Sequence, residues 1–75
     1  MTIPSRKATH MIRGYGVVIP KVQNWYPVEK GEVGWEFGFK YESGVFEFVS
    51  YKTKSQAECD LRKLVEAIEE YYVNR

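Results

Sequence analysis

Residues 35–51 read WEFGFKYESGVFEFVSY, and this stretch decides the fold of the chain. In its first half, four aromatic residues alternate with charged residues or glycine: Trp35, Phe37, Phe39 and Tyr41. Because successive side chains of a β-strand point to opposite faces of the sheet, a period of two places all four rings on one face. We therefore predict a strand over residues 35–42 and a second strand over residues 45–52.

The link between these two strands is Ser43 and Gly44, and a two-residue turn that contains glycine is typical of a tight hairpin. The register that follows pairs rings with rings on one face and a lysine with a glutamate on the other: Tyr41 with Phe46, Phe39 with Phe48, and Lys40 with Glu47. It assigns Phe46 and Phe48 to the core and Tyr51 to the opposite, open face.

The C-terminal segment predicts an amphipathic helix over residues 56–73. Ser55 and Glu58 have the spacing of a capping box, in which the hydroxyl and the carboxylate each accept from a backbone N–H. At 100° per residue the apolar positions fall in one arc: Ala57, Leu61, Leu64, Val65, Ile68, Tyr71 and Tyr72. This apolar face needs a partner and the aromatic sheet face needs a cover, so the two are expected to pack together.

The N-terminal half is less regular. Residues 1–13 have no hydrophobic period and are predicted to be a flexible basic arm. Residues 15–22 predict an edge strand that contains Pro20, and residues 23–34 predict a loop that holds Trp25 and Tyr26. The expected fold is α+β, a single domain over residues 14–75. In it a three-stranded antiparallel meander is packed on one face by a C-terminal helix, in two layers.

Composition limits the classes of function. The chain has 75 residues, enough for one modest core, and its one cysteine and one histidine form no pattern that binds zinc or another cofactor. The start lacks the apolar run of a signal peptide, and no segment approaches the ~20 apolar residues of a membrane span. We therefore expect a cytoplasmic protein without a cofactor and without membrane contact.

Catalysis is not expected either. The histidine, His10, falls in the predicted arm, and the sequence has no Ser/His/Asp, Cys/His or glycine-rich phosphate motif. Cys59 projects away from the apolar arc of the helix with Lys63 one turn on, a setting that could lower the pKa of a thiol but that more often surrounds an ordinary exposed cysteine. We predict that the protein is not an enzyme.

The first function hypothesis is a protein-binding module, such as a small inhibitor or regulatory protein of the phage or mobile-element type. Trp25 and Tyr26 are of the residue types enriched at interface hot spots, although Trp25 could equally plug one end of the core. Tyr51 on the predicted open face would add to such a surface, and Glu66 and Glu70 on the helix exterior could meet a basic partner. The edge strand and small core also leave a homodimer open.

The alternative hypothesis is nucleic-acid binding, because charge is distributed unevenly along the chain. Residues 1–31 hold five Lys or Arg against one acidic residue, and the remainder holds six against nine. Single-stranded nucleic acid could be bound by the stackable rings of Trp25 and Tyr26 together with the basic residues of the first segment: Arg6, Lys7, Arg13, Lys21 and Lys30.

The predicted order of three strands and a helix resembles that of the DNA-reading arms of phage integrases and of plant AP2-like domains. This resemblance implies a sheet face that lies in the major groove. The residues predicted on the open face oppose that use, because Glu36, Glu42 and Glu47 would face phosphates and Lys40 alone would attract them.

Overall fold

A computed structural model describes residues 8–73 of the chain. These residues form five strands and one long helix: β1 (Thr9–Ile12), β2 (Tyr15–Val18), β3 (Val22–Lys30), β4 (Trp35–Tyr41), β5 (Phe46–Tyr51) and α1 (Lys54–Val73). A single 3-10 turn, Ile19–Lys21, joins β2 to β3.

The last three strands form an antiparallel sheet in the order β3-β4-β5, and α1 packs against one of its faces. We term this the covered face and the other the open face. The predicted α+β class, with a three-stranded meander under one C-terminal helix, is confirmed. The predicted fold did not include the second sheet, which β1 and β2 form as an antiparallel pair.

The core lies between the covered face, α1 and the β1–β2 hairpin. The buried apolar residues come from the hairpin, the 3-10 turn, the sheet and the helix: Ile12, Val17, Ile19, Phe37, Phe39, Tyr51, Ala57, Leu64 and Ile68. Rings fill much of this volume, since Phe39 packs edge-on against Tyr41 at 5.4 Å between centroids and Phe37 stacks on Tyr51 at 5.8 Å. Burial of large aromatic side chains lets a chain this short hold a core.

The loop between β4 and β5 is one residue longer than the sequence suggests. The N–H of Tyr41 donates to the carbonyl of Val45, and the N–H of Gly44 donates to the carbonyl of Tyr41, each at 2.9 Å. Glu42, Ser43 and Gly44 therefore form a three-residue loop, in which Gly44 has a φ of 94°. A turn followed by a glycine at positive φ is the usual form of such a loop, and the predicted two-residue turn is wrong.

The longer loop shifts the strand pairing by one residue, so that Lys40 faces Phe46. Since side chains alternate along a strand, this shift exchanges the two faces of β5. The assignment of Phe46 and Phe48 to the core is therefore wrong, because both lie on the open face, 50% and 59% exposed. Tyr51, predicted to lie on the open face, is instead 7% exposed in the core.

Strand β3 occupies most of residues 23–34, which the sequence assigns to a loop. Its pairing with β4 shifts register at Gln23 and again between Tyr26 and Glu29. Bulges at these points insert extra residues, so the hydrophobic alternation that marks a strand is lost. Proline is tolerated because β3 is an edge strand, where a missing N–H leaves no ladder bond unmade.

The predicted strand over residues 15–22 is likewise corrected to two elements. β2 ends at Val18, and Pro20 lies in the 3-10 turn that follows. The fixed φ of proline suits the first positions of a helical turn.

The β1–β2 hairpin overturns the prediction of a flexible arm for residues 9–12, whereas residues 1–7 lie outside the described residues. Its two turn residues, Arg13 and Gly14, have φ values of 51° and 81°, as a type I′ turn requires. The Arg13 guanidinium donates to the carbonyl of Ser50 and lies 5.1 Å from the Tyr51 ring centre. These contacts of Arg13 hold the β1–β2 hairpin against β5.

The helix α1 begins at Lys54, two residues before the predicted start. Its N-cap is Thr53, whose hydroxyl accepts from the N–H of Gln56 at 3.2 Å, so the predicted cap at Ser55 is wrong. The ammonium of Lys54 lies 5.5 Å from the ring centre of Trp35, which joins the first turn of α1 to β4. No helix within residues 8–73 is long and apolar enough to cross a membrane.

Candidate functional site

The open face of the sheet is the most distinctive surface of the described chain. Strand pairing places three residues of each strand on it: Asn24, Tyr26 and Glu29 of β3, Glu36, Gly38 and Lys40 of β4, and Phe46, Phe48 and Ser50 of β5. An antiparallel sheet covered on one side normally carries polar residues on the other. Here three of the nine positions are aromatic.

The three rings form a continuous strip across the face, the aromatic strip of Tyr26, Phe46 and Phe48. The Tyr26 and Phe46 rings lie 6.0 Å apart between centroids with an interplanar angle of 25°. The Phe46 and Phe48 rings lie 6.4 Å apart and are nearly parallel, at 7°. Contacts of this kind favour a fixed arrangement of the rings even where they face water.

Gly38 lies at the centre of the open face, opposite Tyr26 on one side and Phe48 on the other. A Cβ atom at this position would lie 2.6 Å from both Cδ1 and Cε1 of Phe48, so any larger residue would displace that ring. The glycine thus leaves the space that the Phe48 ring occupies. Lys40 lies beside the aromatic strip, and its ammonium is 5.5 Å from the Phe46 ring centre, within reach of a cation–π contact.

Charges on the open face are separated along the strands. Glu29 and Glu36 are paired neighbours near the β3–β4 connection, and the Glu36 carboxylate lies close to Gly31. Lys40 lies at the other end of the face. Glu47, expected on this face, is on the covered face opposite Phe39, because of the register shift.

The carboxylate of Glu47 has a partner on the covered side. It accepts a hydrogen bond from the Tyr15 hydroxyl, and the Tyr15 ring lies 6.4 Å from that of Phe39. Burial, this hydrogen bond and the negative charge of Glu47 together raise the pKa of Tyr15 to about 12. Glu47 therefore attaches the β1–β2 hairpin to the sheet and contributes no charge to the open face.

The structure separates the residues that the sequence groups as a protein-binding surface. Tyr26 lies in the aromatic strip, whereas Trp25 lies opposite Phe39 on the side of the covered face and is 40% exposed. Glu66 and Glu70 are exposed on α1, on the other side of the sheet from the strip. Tyr51 is buried and is corrected from a binding residue to a core residue.

The hydroxyl of Tyr51 is engaged inside the protein. It donates to the Asp60 carboxylate at 2.8 Å, which ties β5 to α1. Burial is the main cause that raises the pKa of Tyr51 above its usual range, Asp60 adds to it, and the nearby Arg13 acts in the opposite direction. Tyr51, Asp60 and Cys59 line one surface cleft, in which Cys59 is half-buried and its sulfur lies 4.0 Å from the Arg62 guanidinium.

The basic residues of the nucleic-acid hypothesis are not brought together by the described chain. Arg6 and Lys7 lie outside the described residues. Arg13 is engaged with Ser50 and Tyr51, and Lys21 lies in the 3-10 turn beside Tyr41. Lys30, at the end of β3, is paired opposite Trp35 and so belongs to the covered side.

No group of three or more His, Cys, Asp or Glu side chains is placed to hold a metal ion in the part of the chain that the structure describes. His10 lies half-buried in β1, opposite Val17. It is therefore part of the ordered hairpin and not of an arm.

Phe46 and Phe48 are the surface residues that sequence reasoning missed. The signal that could have found them is the loop sequence Glu42-Ser43-Gly44, because a glycine in third position suits a three-residue hairpin loop. Comparison of the chain with family models, with curated proteins and with solved structures found no match.

Proposed function

We propose that this chain is a non-enzymatic protein-binding module, of the kind that acts as a small inhibitor or regulatory protein. The aromatic strip is the centre of its contact surface. The observation that supports this proposal is the exposure of Phe46 and Phe48, 50% and 59%, in adjacent positions of one sheet face. Contiguous exposed apolar surface marks interaction sites, whereas single exposed apolar residues are ordinary.

The free energy available from this surface is considerable for a small protein. Each half-exposed phenylalanine leaves roughly 100 Å² in water, and burial yields about 25 cal/mol per Å², hence about 2.5 kcal/mol for each ring. Aromatic anchors at the centre of a patch are also typical of binding hot spots. Two such rings beside Tyr26 are enough to anchor a partner of modest size.

The mixed charge of the open face favours a protein partner. Glu29 and Glu36 share the face with a single cation, Lys40. Binding to a phosphate backbone depends on clustered Lys and Arg, and two carboxylates would oppose it. A protein surface can offer both signs of charge around an apolar centre.

Single-stranded nucleic acid is the second candidate, and the near-parallel Phe46 and Phe48 rings favour it, since bases stack on such rings. This reading predicts that the chain binds an oligonucleotide with an affinity that falls steeply with salt and on Phe48→Ser. Absence of oligonucleotide binding at low salt would exclude it.

Affinity capture with matched variants tests the proposed function. The bait is the full chain as wild type, as Phe46→Ser/Phe48→Ser, and as Glu66→Lys/Glu70→Lys, each with and without nuclease. The second variant is a control on the exposed exterior of α1, away from the strip. Far-UV circular dichroism establishes that all three are folded.

We expect a protein partner that the wild type and the α1 variant retain, that the strip variant loses, and that nuclease leaves bound. Loss of the partner on nuclease treatment would favour the nucleic-acid candidate. Loss from the α1 variant alone would move the contact surface to the helix exterior. Equal retention by all three would refute the assignment of the strip.

A further inference from the structure

We propose that the open face binds a second copy of this chain, face to face, about a twofold axis that crosses β4 at Gly38. This inference rests on the proposed function, because it names the partner that the aromatic strip contacts. Its basis is that the face is self-complementary in one orientation, as a twofold interface between identical chains must be.

The centre of the face is Gly38, and the two charges of β4 lie symmetrically about it. Glu36 is two residues before Gly38 and Lys40 two residues after it, and all three are on the open face. The face therefore has an apolar centre, an acidic end and a basic end.

A twofold axis in the plane of the interface, perpendicular to β4, reverses the strand direction in the second copy. Glu36 of one copy then lies across from Lys40 of the other, and the same contact occurs twice. Packed sheets are ~10 Å apart, a gap that a long acidic and a long basic side chain can bridge. Opposite charges across an interface fix its register and exclude other alignments.

The outer strands agree with this alignment. The rotation keeps β5 over β5, which brings Phe48 of each copy to the centre and sets Phe46 over Ser50. It also keeps β3 over β3, which sets the Asn24 amide across from the Glu29 carboxylate. Phe48 and Tyr26 are thus buried in the middle, Phe46 covers Ser50, and each charged side chain meets a group with which it can form a hydrogen bond.

The other in-plane twofold axis, parallel to β4, is disfavoured. It would place Lys40 over Lys40 and Glu36 over Glu36. Like charges opposed in this way repel, so the arrangement loses the register contacts that the first axis gains. The charge pattern therefore selects one dimer.

The size of the face determines how tight this dimer is. Three strands ~4.8 Å apart and about five residues long at ~3.3 Å each give a small contact area. It falls below the ~800 Å² per partner of a standard interface, so we expect a weak, reversible dimer. Self-association is therefore measured over roughly 10 to 500 μM chain, at low salt, because charge contacts are least screened there.

Sedimentation equilibrium of charge variants tests the alignment. Glu36→Lys alone sets lysines against each other at both contacts, and Lys40→Glu alone does the same with glutamates. Each is expected to weaken self-association about tenfold or more. An equimolar mixture of the two variants restores opposite charges at both contacts and is expected to recover dimer, as is the double variant Glu36→Lys/Lys40→Glu.

Glu66→Lys is the matched control for charge, because it makes the same change on the exterior of α1, and Phe48→Ser tests the apolar centre. The control is expected to dimerise as the wild type does, and Phe48→Ser is expected to be monomeric while still folded. A wild type that stays monomeric at the highest concentration would overturn the inference. So would a dimer that is insensitive to Glu36→Lys and Phe48→Ser, or a mixture no more dimeric than its components.

These results are distinguishable from failure of the proposed function. A monomeric wild type that still captures another protein through Phe46 and Phe48 would leave the protein-binding proposal intact and remove only the second copy. Oligonucleotide binding that depends on Phe48, without dimer formation, would contradict both the protein-binding proposal and the proposed dimer.

Discussion

Separate alanine substitutions of Phe39 and Phe48 test the strand register on which the surface assignment depends. In the structure, Phe39 points to the covered face and Phe48 to the open face. In the register predicted from the sequence, the two rings face each other in the core. The two registers therefore give different stabilities for Phe48→Ala and the same stability for Phe39→Ala.

The expected magnitudes follow from burial. Phe39 is 0% exposed and packs edge-on against Tyr41, so Phe39→Ala removes a buried ring and leaves a cavity, at a cost of about 3–5 kcal/mol. Phe48 is 59% exposed, so less than half of its transfer free energy is lost and no enclosed cavity forms. We expect about 1 kcal/mol for Phe48→Ala.

Urea unfolding followed by far-UV circular dichroism measures both values. The chain is kept at low micromolar concentration, so that self-association does not add to the stability of the wild type. Tyr51→Ala serves as the reciprocal variant, because Tyr51 is buried in the structure and exposed in the predicted register. Equal losses for Phe39→Ala and Phe48→Ala, with a negligible loss for Tyr51→Ala, would refute the register and the aromatic strip with it.

Two further predictions concern the N-cap of α1 and the loss of stability at alkaline pH. Thr53→Ala removes the hydroxyl that accepts from Gln56 and should cost about 1 kcal/mol in urea unfolding, whereas Ser55→Ala should be nearly neutral; the reverse order would place the cap at Ser55. The pKa of Tyr15 is higher in the folded chain, about 12, than its ordinary value of 10.0, so the contribution of Tyr15 is full below pH 10 and is lost as pH rises toward 12. Tyr15→Phe should therefore flatten the fall in melting temperature over this range, and an unchanged fall would contradict the raised pKa of Tyr15.

The elements with regular side-chain periods are those that the sequence predicts well. The aromatic alternation of β4 and the apolar arc of α1 each arise from one repeating geometry, so period alone identifies them. Strand β3 escapes prediction because its bulges interrupt the alternation, and β1 because a four-residue strand is too short to show a period. The sequence signal for the β1–β2 hairpin is the Arg13-Gly14 turn between apolar residues.

The open-face position of Phe46 and Phe48 is not predicted correctly from the sequence, because it depends on a single residue of loop length. Ser43-Gly44 and Glu42-Ser43-Gly44 are both reasonable hairpin loops, and the glycine in third position favours the longer loop without excluding the shorter one. The choice is made by packing across the core, where the Tyr51 hydroxyl reaches Asp60 on α1 and Glu47 reaches Tyr15. These contacts join distant parts of the chain and leave no local pattern in the sequence.

The connectivity of the sheets bears on how quickly the chain folds. Every strand pairs with a neighbour in the sequence, β1 with β2, β3 with β4, and β4 with β5. Closure of such short loops costs little entropy, so each hairpin can form independently and early. Helix α1 also contacts β1, near the opposite end of the described chain, and this long closure is the slow step that we expect to set the folding barrier.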